Sequence, residues 1–143
     1  MLSFREGPAI LDAFRCLTTV PDLIFINGHG YAHPKRFGLA SLVGLVLDLP
    51  SAGVAQRLLT RSVALPGSAR GSAEPVLDNT EVIGMAVRTV QGTRPVFISA
   101  GHNVDLVQAV DMALKTTVTL RITEPFWHAD QVSRQCRDEQ TGF

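Results

Sequence analysis

The sequence predicts an α/β domain, and three observations carry that prediction. Leu23-Ile24-Phe25-Ile26 is a short unbroken apolar run, the pattern of a strand buried on both faces. Asn27-Gly28-His29-Gly30 stops it abruptly, because glycine opens turns that other residues avoid. Elsewhere, apolar stretches at helical spacing are mixed with short strand-like runs, in no repeating order. A polar residue at the end of a buried strand, followed by glycines and bases, is where open α/β sheets place ligands.

The elements follow in order. Residues 1–4 are too short to stand alone and read as the last residues of a strand, ending on Arg5-Glu6. Pro8 suits the first turn of a helix. Ile10, Leu11, Phe14 and Leu17 recur at helical spacing, so residues 8–19 are predicted as an amphipathic helix closed by Pro21. After the central strand, His33, Pro34, Lys35 and Arg36 crowd polar groups into a loop. Residues 38–48 are apolar almost throughout, with small Gly38, Ala40, Ser41 and Gly44, and read as a buried helix ended by Pro50. Residues 52–54 read as a short strand and 55–60 as a helical turn. Pro, Gly, Ser and Asn make residues 61–79 an exposed loop. Residues 82–89 and 95–99 are strands joined by a hairpin turn at 91–94. Residues 101–103 are a strand-to-helix junction, 104–115 a helix, and 124–136 a final helix with Pro125 at its start.

The chain has 143 residues, one domain's worth, with 13 basic and 13 acidic residues and a formal net charge of zero. No global field draws it to nucleic acid or membrane, so any such surface must come from local clusters such as Lys35 with Arg36, or Arg57 with Arg61. Cys16 and Cys136 lie far apart without a CxxC, which argues for ordinary reduced cysteines. The N-terminus lacks a signal-peptide pattern, and no stretch reaches the roughly 20 apolar residues that span a bilayer. A soluble cytoplasmic protein without a membrane partner is the expectation.

One stretch carries a resemblance. Asn27-Gly28-His29-Gly30-x-x-His33-Pro34-x-Arg36-x-Gly38-x-Ala40-Ser41 resembles the signature of the endonuclease V family, which there begins Asp-Gly-His-Gly or Asp-Gly-Gln-Gly. Leu2-Ser3-Phe4-Arg5-Glu6 precedes it, and Gly53-Val54-Ala55, Gly101-His102 and Glu124-Pro125 follow in the family's order. The similarity covers nearly the whole chain and begins inside the family's pattern. It implies a ribonuclease-H-like fold, a mixed sheet flanked by helices, here lacking most of its first three strands. Open backbone edges and apolar surface should result, inviting a complementing N-terminal segment or self-association through the sheet edge.

The resemblance also implies Mg²⁺-dependent cleavage, with Mn²⁺ as an alternative, of DNA or RNA one nucleotide beyond a deaminated base, chiefly hypoxanthine. Phosphodiester hydrolysis needs an activated water and neutralisation of phosphate charge, which Mg²⁺ held by a few carboxylates supplies. The family places an Asp on its first strand, a Glu after the third and an Asp after the fourth. Glu6 matches the second, and Asn27 stands at the third, a carboxylate turned amide. These two are the implied metal positions. His33 and His102 match family histidines near the metal centre, completing a catalytic set of Glu6, Asn27, His33 and His102. Gly28, Gly30 and Gly38 would receive a flipped-out base, and Lys35 with Arg36 would contact phosphate. Gln56 stands where the family commonly has Lys, Leu42 where it usually has His, and the family's Tyr-Ile-Pro wedge is absent. Catalysis is therefore expected to be impaired. Two readings stand beside an impaired enzyme: a non-catalytic binder of inosine-containing strands, and an inactive relic.

Other motifs fail. Gly28-x-Gly30-x-x-His33 lacks the third glycine of a dinucleotide fingerprint, despite Asp48 at a ribose-binding distance. His29 and His33 are four apart, but no Glu lies between them and Pro34 spoils the helix a zinc protease needs. Asp22 matches a recurrent family Asp and receives no role.

Overall fold

The computed structural model describes residues 2–59 and 63–141. In chain order the elements are α1 (Leu2–Arg15), β1 (Ile24–Asn27), α2 (Leu39–Leu47), β2 (Ser51–Ala55), β3 (Ala73–Asp78), β4 (Glu81–Val87), β5 (Val96–His102), α3 (Leu106–Lys115) and α4 (Glu124–Thr141). The strands make one five-stranded sheet in the order β1-β2-β5-β4-β3. β1 runs parallel to β2, and every other pairing is antiparallel. This is the mixed sheet flanked by helices that the family resemblance implies.

Alternation along β1 and β2 sends side chains to two layers. On one face Ile26 joins Leu39, Ala40 and Val43 of α2. On the other, Ala52, Val54, Val96 and Ile98 pack against Ala109 and Ala113 of α3, with Phe25 against the same cluster. Small residues on α2 allow close approach: a Cβ at Gly44 would lie 2.1 Å from the Ser51 hydroxyl oxygen. That hydroxyl donates to the Ala40 carbonyl at 2.7 Å and accepts from the His102 N–H at 3.0 Å, joining helix, strand and neighbouring strand. Asp105 caps α3 in a reciprocal box, accepting from the Gln108 N–H while the Gln108 side chain accepts from the Asp105 N–H.

The structure departs from the sequence reading in several places. Of residues 1–4, read as the end of a strand, Met1 lies outside the described residues and 2–4 are helical, because a helix satisfies its backbone locally whereas a strand needs a neighbour. α1 consequently runs through Pro8 and stops at Arg15, four residues before the predicted end; Cys16 and Leu17 close it with bonds to Ala13 and Phe14. Within the predicted loop 61–79, residues 73–78 form β3, an edge strand that tolerates Pro75. Ala55 belongs to β2, and residues 56–59 are irregular rather than helical. β1 is packed on both faces but is an edge strand, so only Ile26 is fully buried.

Among the described residues no helix is long and apolar enough to cross a membrane. Both cysteines are free and exposed.

Candidate active site and the loop that frames it

A groove of about 860 Å³ runs along the open edge of β1, between α1, α2 and α4. Its walls are mostly apolar, with Phe14, Phe25, Val43 and Phe126 among them, and its polar groups include Glu6, Asn27 and Asp130. β1 delivers Asn27 at its C-terminal end, opposite Val54. α1 delivers Glu6, and α4 delivers Asp130. Glu6 and Asn27 are exposed and their side chains have no hydrogen-bond partner among the described residues. Asp130 accepts a hydrogen bond from the Arg134 Nε at 2.8 Å. Sequence reasoning missed Asp130; its signal was the position six residues after Glu124, on the helix that begins at the matched Glu-Pro.

The segment between β1 and α2 crosses the sheet. The Gly28 N–H donates to the Val54 carbonyl at 3.3 Å, the Gly30 N–H to the Ser99 hydroxyl at 2.9 Å, and the Tyr31 N–H to the Ala100 carbonyl at 2.7 Å. The chain thus passes over β2 and β5 in turn. Its glycines are packed against backbone. A Cβ at Gly30 would meet the Ala100 oxygen at 2.1 Å, one at Gly38 the His29 oxygen at 2.0 Å, and one at Gly53 the Gly28 oxygen at 2.5 Å. Gly28 differs: its φ of 152° lies in glycine's territory, and the nearest atom to a Cβ there is 4.0 Å away. Of the three glycines expected to line a base pocket, Gly28 is the one with open space, while Gly30 and Gly38 serve loop packing.

The histidines fall in three environments. His29 is buried, and its Nε2 donates to the Arg57 carbonyl at 3.1 Å, while its Nδ1 is buried without a partner among the described residues. Burial lowers its pKa, the Arg57 carbonyl pulls upward, and the charge of His33 lowers it further, so the ring favours the neutral state. His33 is half-buried, and its Nδ1 accepts from the Lys35 N–H at 3.2 Å, which leaves the proton of the neutral ring on Nε2. His102 pairs with Ser51 at the start of β2, whereas Asn27 pairs with Val54 near its end. Three strand residues separate the two levels, about 10 Å. The structure therefore brings Glu6 and Asn27 to one groove and sets His102 at the opposite end of the sheet, 3.4 Å from Asp48. No side-chain partner engages Lys35 among the described residues, but Arg36 is bonded to Asp78 and Glu81.

The donor set does not fit a strong Mg²⁺ centre. Mg²⁺ is a hard cation that draws on carboxylates. Here the carboxylates of Glu6, Asp22 and Asp130 line the groove beside a neutral amide, and Asp130 is engaged by Arg134. Among the described residues no group of three His, Cys, Asp or Glu converges as a metal site.

The endonuclease V family model matches residues 1–131. The endonuclease V of Dictyoglomus turgidum is 46% identical over 124 residues, covering 87% of this chain and 54% of that protein. The crystal structure of endonuclease V from Streptomyces avermitilis superimposes with a TM-score of 0.93 at 45% identity, covering 99% of this chain and 62% of that one. A crystal structure of Ciona intestinalis endonuclease V, in complex with a 24mer DNA containing an inosine followed by a ribo-adenosine, gives a TM-score of 0.82 at 26% identity, covering 96% of this chain and 66% of that one. The chain thus spans between half and two thirds of these relatives. The shared architecture is the ribonuclease-H-like α/β fold. With a match from residue 1 to residue 131 and that superposition, the chain belongs to the endonuclease V family.

Proposed function

We propose that this chain is a DNA-repair nuclease domain that binds strands carrying a deaminated base, chiefly inosine, and whose strand cleavage is strongly impaired. Family membership and the relative solved with inosine-containing DNA support the binding half. The single observation that carries the impairment is Asn27, which brings a neutral amide into the groove shared with Glu6 and Asp130. An amide oxygen touches a cation weakly and adds no negative charge to hold one. Mg²⁺, or Mn²⁺ in its place, would supply the activated water and charge neutralisation that hydrolysis needs. The carboxylates of Glu6, Asp22 and Asp130 line the groove without converging on one point, and the residues left to act are those that bind the strand.

Those residues have defined parts. His33 offers an Nε2–H donor to a phosphate oxygen. Lys35, Arg57 and Arg94 have no side-chain partner among the described residues and provide cations for the backbone. Gly28 presents bare backbone, which a flipped-out base approaches closely.

Fluorescence anisotropy with matched inosine-containing and guanosine-containing single strands tests the reading. The inosine strand should bind more tightly. With three cations engaged, affinity should fall with salt at a log–log slope of about −2. Equal binding of both strands, or binding indifferent to salt, contradicts it.

A further inference from the structure

Arg36 sits in the family signature, but the Nε and Nη2 of its guanidinium are engaged within the fold. Its Nη2 lies 2.7 Å from both Asp78 Oδ2 and Glu81 Oε2, and its Nε donates to Glu81 at 2.8 Å. The Tyr31 hydroxyl donates to the other oxygen of Glu81, and the guanidinium carbon stands 5.7 Å from the Tyr31 ring centre. Asp78 ends β3 and Glu81 begins β4, so the two acids flank a tight turn in which Asn79 adopts a φ of 56°. The segment that leaves β1 at one sheet edge is therefore fastened at the hairpin of the opposite edge.

The same residue shapes the turn that holds His33. Arg36 adopts a φ of 55°, its N–H donates to the His33 carbonyl at 2.7 Å, and its Nη1 reaches that carbonyl at 3.5 Å. The Lys35 N–H, inside this turn, donates to the His33 Nδ1. An arginine whose fork is held by two carboxylates has little left to offer a phosphate.

We infer that Arg36 is a positioning residue: with Asp78, Glu81 and Tyr31 it clamps residues 28–38 to the β3–β4 hairpin and fixes the imidazole of His33, leaving phosphate contact to Lys35. The functional part of this rests on the nucleic-acid reading above; the clamp itself does not.

The test compares Arg36→Ala with Asp78→Asn/Glu81→Gln. Both release the clamp, one from each side. Hydrogen exchange should speed at the Tyr31, Arg36 and Gly38 amides by at least about tenfold in both variants, with β4 and β5 unchanged. Nitrogen-15 spectra of His33 should shift from the Nε2-protonated tautomer towards a mixture. Arg36→Lys, which keeps a cation but not the fork, should fall between parent and Arg36→Ala and serves if the alanine variant does not fold. Parent-like exchange and tautomer in the acid double variant overturn the proposal, whatever the chain binds. For inosine-strand affinity, the clamp predicts weaker binding in both variants at an unchanged salt slope. A phosphate-ligand role predicts the opposite for the acids, since their removal would strengthen binding, and Arg36→Ala would flatten the slope by about 0.7 to 0.9. A parent that binds no inosine strand contradicts the proposed function, while exchange and tautomer still decide the clamp.

Discussion

Replacing Gly30 with alanine would place a Cβ 2.1 Å from the carbonyl oxygen of Ala100 and 2.7 Å from its carbonyl carbon. Both are backbone atoms of β5, held by pairing with β2, so the neighbour cannot swing aside. The loop must lift instead. Lifting it costs the Gly30 N–H to Ser99 bond and the Tyr31 N–H to Ala100 bond, at about 1 kcal/mol each. Overpacking adds about 1–3 kcal/mol. The expected destabilisation is about 3–5 kcal/mol, read as a lower urea midpoint at unchanged m-value. Gly71→Ala is the control: its φ is 87° and nothing lies within 4 Å of a Cβ there, so it carries backbone strain alone. That strain is worth about 1–2 kcal/mol. If Gly30→Ala costs no more than Gly71→Ala, the loop is not held by backbone contact with the sheet, and the account of the glycines is wrong.

Further outcomes follow from single contacts. Asp105→Ala removes the α3 capping box and should cost about 1 kcal/mol in urea unfolding; a change under a few tenths would show the cap to be idle. Arg70→Ala frees the Leu114 carbonyl in the last turn of α3 and the Thr117 carbonyl just after it, and should speed exchange in residues 114–117 ahead of β5. His29 has a lowered pKa in the fold, chiefly through burial. Below about pH 6.5 the unfolded chain takes up a proton that the folded chain resists, so this contribution is present at neutral pH and lost as pH falls through the folded pKa. His29→Gln should remove that slope between pH 7.5 and 5.5; identical slopes in parent and variant would refute it.

Patterns that are local in the sequence were legible there. The run Leu23 to Ile26 and its stop at Asn27 located β1, and the small apolar stretch after Gly38 located α2. β3 was hidden because Pro75 reads as a breaker, and an edge strand that accepts proline is visible only once the sheet order is known. The start of α1 was obscured by the family pattern: residues 1–4 look like a strand end, but pairing is a tertiary matter and helical bonds are not. Site residues divide the same way. Glu6 and Asn27 were named from the signature, and both line the groove. Asp130 joins them from more than a hundred residues away, which no spacing rule reveals. His102 followed a matching dipeptide, yet the antiparallel register of β5 carries it to the far end of the sheet. The carboxylates that engage Arg36 lie over forty positions along the chain, beyond the reach of any spacing rule.

The most direct test of the central claim is cleavage of a labelled inosine-containing oligonucleotide by the purified chain, with Mg²⁺ and again with EDTA. The account predicts a bound strand that stays intact under both conditions. Metal-dependent cleavage beside the inosine would contradict it, showing that the groove's Glu6, Asp22, Asp130 and the amide of Asn27 suffice for a working centre.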